Sequence, residues 1–425
     1  MMTRLAAGAL ASGILATSLS AGSVERSLRP QVRPDEPVTR SAVSLVDPAG
    51  SETQAAFRGW VREFRPRALS AGIPAATFDS AFATAHYLPD VVKRDRSQAE
   101  FTKTIWQYLD TAVSDARIRN GRQALAEHGD TLKRIEAHYG VDARAVLAVW
   151  GMETAYGSYR GDTPIVSALA TLAHDGRRAS FFEDQLIAAL RILASGDTTP
   201  DNMTGSWAGA MGHTQFMPTS YEALAVDFTG DGRRDIWADD PTDALASTAA
   251  YLSHHGWVEG MPWGVEVQLP DGFDFGLADR ETKRMPSDWA RLGVVGTDGA
   301  PVRNHGAAKL FLPAGARGAA FLTFKNFDVI RRYNPSDAYA MGVGHLGDRI
   351  MGGAPIAAEW PGDERGLTSD ERRELQSRLT ARGFDTQGVD GRIGPMTVAA
   401  LRNYQKAAGL PPDGYASLEL LRRLR

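Results

Sequence analysis

A mainly α protein, with one small β-containing insert and a separate helical module at its end, is the fold class that the 425-residue sequence predicts. Three observations lead there. Apolar residues recur at helical spacing over most of 51–350. The pattern turns to alternation punctuated by Gly and Pro between Trp257 and Phe324, and a second helical pattern resumes after Gly366. At 43% hydrophobic and 23% charged residues, the chain is able to bury a large core.

Taken in order, the first 22 residues carry Arg4, a mildly apolar stretch from Leu5 to Leu19 and small residues around Ser18, Ser20 and Ala21, the pattern of an export signal. The stretch is too rich in Ala, Gly and Ser to be a membrane span, so none is expected after signal cleavage. Residues 23–50 hold Pro30, Pro34, Pro37 and Pro48 among charged and small residues and predict a disordered spacer. From Ser51, Phe57, Trp60, Val61 and Phe64, then Phe101, Ile105, Trp106 and Tyr108, then 135–150, mark helices of a main domain over 51–355. Alternation at 265–269 and short apolar runs at 309–312 and 320–324 place the β-containing insert at about 257–326, folding back on the helices that resume from Asp328. Residues 356–369 predict a linker. Residues 370–425, with Leu375, Leu379, Leu401, Leu410 and Leu421, predict about three short helices joined by Gly-rich turns. No internal repeat is evident.

A net charge of −4 and the lack of any long Lys/Arg run argue against a nucleic-acid partner. With no cysteine there is no disulfide, thiolate metal site or Cys nucleophile, and no attachment point for a lipid. Soluble export to a periplasmic space, as a monomer, is the expectation.

In VWGMETAYG (149–157), Val146, Val149, Trp150, Glu153 and Gly157 share one helical face, so Glu153 projects from apolar surroundings just before Gly157 can end the helix in a left-handed conformation. A carboxyl walled by apolar and aromatic groups has its charged form disfavoured and its pKa raised toward the range of a general acid; a Glu bonded to a neighbouring helix is the plainer alternative. In SWAGAMGHTQFMPTSY (206–221), Gly209 and Gly212, with Gly205 just ahead, allow close backbone approach while Ser206, His213 and Gln215 offer polar groups. The G-x-S-x-G serine elbow is absent, and His213 has no triad partner nearby.

These two stretches, followed by GDGRRDIW, DALAS and YLSHHGW, resemble the lytic transglycosylases of the membrane-bound B type over about residues 57–352. The resemblance implies a lysozyme-like catalytic domain, peptidoglycan glycan strands as substrate, Glu153 as the catalytic residue, and Ser206, Gln215, Tyr251, Tyr333, Asn334 and Tyr339 as substrate-binding residues. The tyrosines would cover sugar faces and the others would bond hydroxyls or N-acetyl groups. It also implies a non-hydrolytic reaction that needs no cofactor: Glu153 protonates the glycosidic oxygen of a MurNAc-GlcNAc bond, then as carboxylate takes the proton of the sugar's own C6 hydroxyl, leaving a 1,6-anhydro end. Tethering the nucleophile to the reacting ring gives it a high effective concentration over water. A hydrolytic muramidase would instead need a second carboxylate, for which Asp162 and Glu183 are available. A non-catalytic wall scaffold is the other rival.

In DFTGDGRRD (227–235), Asp227, Thr229, Asp231 and Asp235 occupy the first, third, fifth and ninth places of an EF-hand-like loop, with Gly232 sixth and Arg233 seventh, the place that offers a backbone carbonyl. The twelfth place is Ala238, so a closing carboxylate has to come from Asp243, or else Asp239, and a structural Ca2+ is the expected occupant. Adjacent His254 and His255 point apart in a helix and make a poor metal pair. The stretch 389–410 resembles a small peptidoglycan-binding domain, with Asp390-Gly391 and Gly394-Pro395 turning the chain.

Overall fold

A computed structural model describes residues 48–96, 103–279, 281–362 and 364–425. The expected signal, the expected spacer up to residue 47, and Phe101 lie outside the described residues. Helix α1 (Pro48–Ser70) already begins within the stretch expected as spacer.

Two helical cores form because two sets of amphipathic or fully apolar helices each need a partner. The first unites α1, α2 (Ala75–Ala83), α3 (Pro89–Arg96), α7 (Ile165–Asp175), α8 (Ala179–Ser195) and α9 (Pro218–Leu224) around Phe57, Phe64, Phe78, Phe182 and Leu186. The second unites α4 (Ile105–Ala112), α5 (Asp115–Tyr139), α6 (Ala143–Thr154), α10 (Thr242–His254), α12 (Lys325–Tyr333) and α13 (Asp337–Ile350) around Leu132, Ile135, Val146, Trp150, Leu245 and Met341. Residues 145–151 of α6 are buried on every face, which is why that stretch reads as a continuous apolar run. Tyr251 and Tyr333 pack against both cores, so they mark the seam between them.

The insert is a four-stranded antiparallel sheet in the order β4-β3-β6-β5, built from β3 (Gly264–Gln268), β4 (Val295–Gly296), β5 (Lys309–Phe311) and β6 (Ala320–Thr323), with α11 (Pro286–Arg291) beside it. Side chains alternate across a strand. Ala320 and Leu322 of β6 therefore join the insert's own core with Val267, Trp289 and Leu310, while Phe321 joins the second helical core. This alternation is what folds the insert back onto the helices. A second pairing, β1 (Thr163–Pro164) with β2 (Thr204–Gly205), is too short to leave a sequence signal.

The last unit packs α14 (Ser369–Ala381), α15 (Pro395–Ala407) and α16 (Leu418–Leu424) around Leu375, Leu379, Leu401 and Leu421. Here an internal repeat does exist. Gln376 donates to Asp390 (2.9 Å) and accepts from the Gly391 N–H (2.8 Å), and Gln405 does the same with Asp413 (2.6 Å) and Gly414 (2.8 Å). A buried amide satisfied at both ends by an Asp-Gly turn recurs, with loops of unequal length that hide it in the sequence.

Candidate active site

Helix α6 delivers Glu153 in its last turn, and the way the helix stops fixes the side chain's direction. The expected stop was Gly157. Instead Ala155 (φ 49°) and Tyr156 (φ 60°) turn left-handed before Gly157 (φ 79°) does. Non-glycine residues in that region cost on the order of 1–3 kcal/mol each, so packing must hold them there. The tyrosine ring lies over two glycines: a Cβ on Gly151 or on Gly121 would come within 2.5 Å of Tyr156, whose hydroxyl donates to the Arg117 carbonyl at 3.0 Å. Thr154 completes the stop by donating to the His213 carbonyl (2.6 Å) and accepting from the Gly157 N–H (3.0 Å). His213 itself accepts from the Trp150 indole (3.1 Å) and has Nε2 2.7 Å from the Ala238 carbonyl, while burial lowers its pKa, so its ring braces this turn.

Glu153 accepts a hydrogen bond from the Tyr339 hydroxyl at 2.5 Å. Burial pushes its carboxyl up to about 7, against the downward pull of that hydrogen bond. Tyr339 was expected under a sugar face. It is only 5% exposed and its hydroxyl is held by Glu153, so it is buried against that carboxyl and not presented as a sugar platform would be. Tyr333 donates to the Thr214 carbonyl and Tyr251 to the Arg332 carbonyl, both at 2.6 Å, and their rings stand 4.9 Å apart with Phe216 5.9 Å from each. Both rings are half-buried where the two helical cores meet. Asn334 follows at the end of α12, accepting from the Ser336 N–H at 3.1 Å.

Ser206 and Gln215 belong to one tight loop, closed by reciprocal Met211–Phe216 backbone bonds at 2.9 Å. Ser206 Oγ accepts from the Ala210 N–H (3.0 Å), and a hydroxyl that accepts one bond still has a hydrogen to donate. Gln215, at φ 57°, donates to the carbonyls of Arg160 (3.1 Å) and Gly212 (2.9 Å). The amide therefore braces the loop.

Sequence reasoning missed Tyr108. Its helical spacing marks it only as core, whereas in the structure its hydroxyl is pushed up to about 12 by burial and by the nearby Glu153 charge. Of the two spare carboxylates, Asp162 is exposed and Glu183 is paired with Arg67 at 2.8 Å. The side-chain partner that Glu153 has at hydrogen-bond distance is the Tyr339 hydroxyl. A cleft of about 380 Å³ runs along residues 155–158 and the Asn120, Gln123 and Glu127 side chains of α5; Glu153 is not among its lining residues.

Part of the acidic loop comes together: Asp227, Asp231 and Asp243, the last from beyond the loop, each bring an oxygen within 4.8 Å of the others, while Asp235 at the ninth place lies outside this group and accepts from the Trp237 and Ala238 N–H groups. Asp243 is 3% exposed, and burial raises its pKa even though three backbone N–H groups (Phe228, Thr229, Asp235) donate to it. An all-oxygen, carboxylate-rich set fits a hard cation such as Ca2+. The Thr229 hydroxyl and the Arg233 carbonyl remain the further candidate donors from the same loop. Asp239 pairs with Arg160 at 3.2 Å instead, and the His254 and His255 rings pack at 83° to each other.

A lysozyme-like helical domain with one walled acid at a helix end, joined to a three-helix module, is the class that fold and site define. Residues 56–348 match the family model for the transglycosylase SLT domain and residues 368–424 that of a peptidoglycan binding domain. The chain belongs to the transglycosylase SLT family. It is similar to membrane-bound lytic murein transglycosylase B of Escherichia coli, 38% identical over 57% of this chain and 66% of that protein, so the match spans just under two thirds of that relative. Among solved structures, SltB3 from Pseudomonas aeruginosa in complex with NAG-anhNAM-pentapeptide aligns over 87% of this chain and 99% of that one (49% identity, TM-score 0.84). Lytic transglycosylase SLT35 of Escherichia coli, in complex with calcium, aligns over 70% and 93% (32% identity, TM-score 0.58).

Proposed function

We propose that the chain is a lytic transglycosylase that cleaves the MurNAc-GlcNAc β-1,4 bond of peptidoglycan and leaves 1,6-anhydro-MurNAc ends, with Glu153 serving first as acid and then as base. The observation that carries this is a solitary carboxyl poised near neutrality. With its pKa raised to about 7 it holds a proton to give to the leaving oxygen. Once ionised, it is stabilised by the Tyr339 hydroxyl and is ready to take the proton of the C6 hydroxyl as that oxygen closes on the anomeric carbon. Tyr333 and Tyr251 would offer their rings to sugar faces, and Asn334, Ser206 and Gln215 would bond hydroxyls or N-acetyl groups. The likeness to SltB3, whose complex holds an anhydro muropeptide, supports the same product here.

Residues 370–425 would hold the wall, and the protein would work outside the cytoplasm; no helix among the described residues is long and apolar enough to cross a membrane. Asp227, Asp231 and Asp243 would bind a structural Ca2+ that tightens the 227–235 loop and takes no part in bond cleavage.

Mass spectrometry of purified sacculi after digestion tests the reaction. Anhydro ends, with loss of several orders of magnitude in turnover for Glu153→Gln, are expected. Reducing ends would establish a hydrolase, and wild-type protein that releases nothing would establish a scaffold.

A further inference from the structure

Helix α4 carries both Trp106 and Tyr108, and it is held from outside by residues of the expected linker. The Trp360 indole stacks on Trp106 with ring centroids 5.8 Å apart and planes at 17°. Trp106 is 5% exposed and its indole N–H finds no acceptor among the described residues, so packing alone keeps the ring in place. Trp360 is in turn fixed from behind. The Ala357 and Ala358 N–H groups both donate to the Glu266 carboxylate of β3 at 2.8 Å, and Trp360 lies against Gly318, where a Cβ would meet the indole at 3.3 Å. Next to Gly318, Arg317 pairs with Glu364 and, at 3.0 Å, with Glu419 of α16, while Asp413 accepts from the Ala316 N–H at 2.7 Å. A chain of contacts thus runs from the terminal module through Trp360 to α4. On the far side of α4, Tyr108 packs with Met152, the neighbour of Glu153 on α6, around Gly342, and the Glu153 charge acts on its hydroxyl.

We infer that Trp360 is a positioning residue for the acid: its indole keeps α4, and so Tyr108, against Glu153, making the docked terminal module part of what sets the active site. The titratable groups facing Glu153 are Tyr108 from α4, Tyr339 from α13 and Tyr333 from α12. The Tyr339 hydroxyl bonds Glu153 itself and the Tyr333 hydroxyl bonds the Thr214 carbonyl, so neither hydroxyl is held by Trp360. Losing the indole loosens α4 and with it the Tyr108 wall, and lets water reach the carboxyl, which favours its charged form.

The inference rests on Glu153 being the acid of the proposed reaction, and two readouts on the full chain keep the two claims apart. In Trp360→Ala, kcat should fall by about tenfold with KM changed less than about twofold, because misplacing a reacting group costs rate more than binding. The alkaline limb of the kcat/KM profile should move toward acid by about one pH unit as the carboxyl is rehydrated. Trp360→Phe, which still stacks, should restore both. The carboxyl 13C signal of Glu153, assigned by its loss in Glu153→Gln, should titrate lower in Trp360→Ala whether or not the protein cleaves glycan. A lowered melting temperature with an unchanged limb and unchanged titration would overturn the inference. If Trp360→Ala does not fold, Trp360→Leu is judged by the same outcomes.

Discussion

Replacing Glu153 with Gln should stabilise the protein at alkaline pH, at the site where it is expected to abolish activity. The carboxyl titrates at about 7 in the fold, against 4.5 when freely hydrated. A raised carboxyl binds its proton more tightly folded than unfolded, so stability falls as pH rises from 4.5 through 7 and stays lowered above that. About 2.5 pH units at 1.36 kcal/mol each gives an upper figure of about 3 kcal/mol, and remaining solvent contact brings the expectation to about 2 kcal/mol. Gln carries no charge at any pH and can still accept from the Tyr339 hydroxyl. The variant-minus-wild-type difference in melting temperature, measured at pH 8 and again at pH 4, isolates this because pH-independent effects of the substitution cancel. The difference should favour Gln by several degrees more at pH 8 than at pH 4. A pH-independent difference, or one growing in favour of wild type toward alkaline pH, would refute the claim that burial holds this carboxyl near neutrality.

Tyr339→Phe removes the hydroxyl that favours the carboxylate, so the alkaline limb of the kcat/KM profile should move up by about one pH unit while kcat falls; a limb that stays put would separate Tyr339 from the acid. Gly151→Ala would drive a methyl into the Tyr156 ring and misdirect the end of α6. Turnover should drop by about 100-fold with melting lowered, and full activity would show that the left-handed stop does not aim Glu153. Added calcium should raise the wild-type melting temperature and leave an Asp227→Asn, Asp231→Asn double variant unmoved, since a ligand stabilises by binding the folded form; a wild type indifferent to calcium would count against the site.

Local spacing makes legible where charged, acidic and alternating residues fall. Glu153 stood out as a charge on an apolar helical face, the acidic loop by its alternating oxygens, and the insert by alternation of Val265, Val267 and Leu269. What could not be read depends on contacts between distant segments. Gly157 is the better local stop for α6, yet the slot made by Gly121 and Gly151 captures Tyr156 and ends the helix at Ala155. Tyr339 carries the same residue type whether it stacks on a sugar or bonds a carboxylate, and only the placement of α13 against α6 decides. Tyr108 gains its role from lying beside Met152 and Glu153 in space, and the Gln376 and Gln405 repeat is hidden by loops of different length.

The central claim is that one acid suffices because the substrate supplies its own nucleophile. Digestion of glycan strands in heavy-oxygen water measures this at the bond that forms. Muramic ends that carry no label and have the mass of the 1,6-anhydro sugar are expected. Heavy oxygen incorporated at the anomeric carbon during cleavage would mean that water attacks, and would contradict that claim.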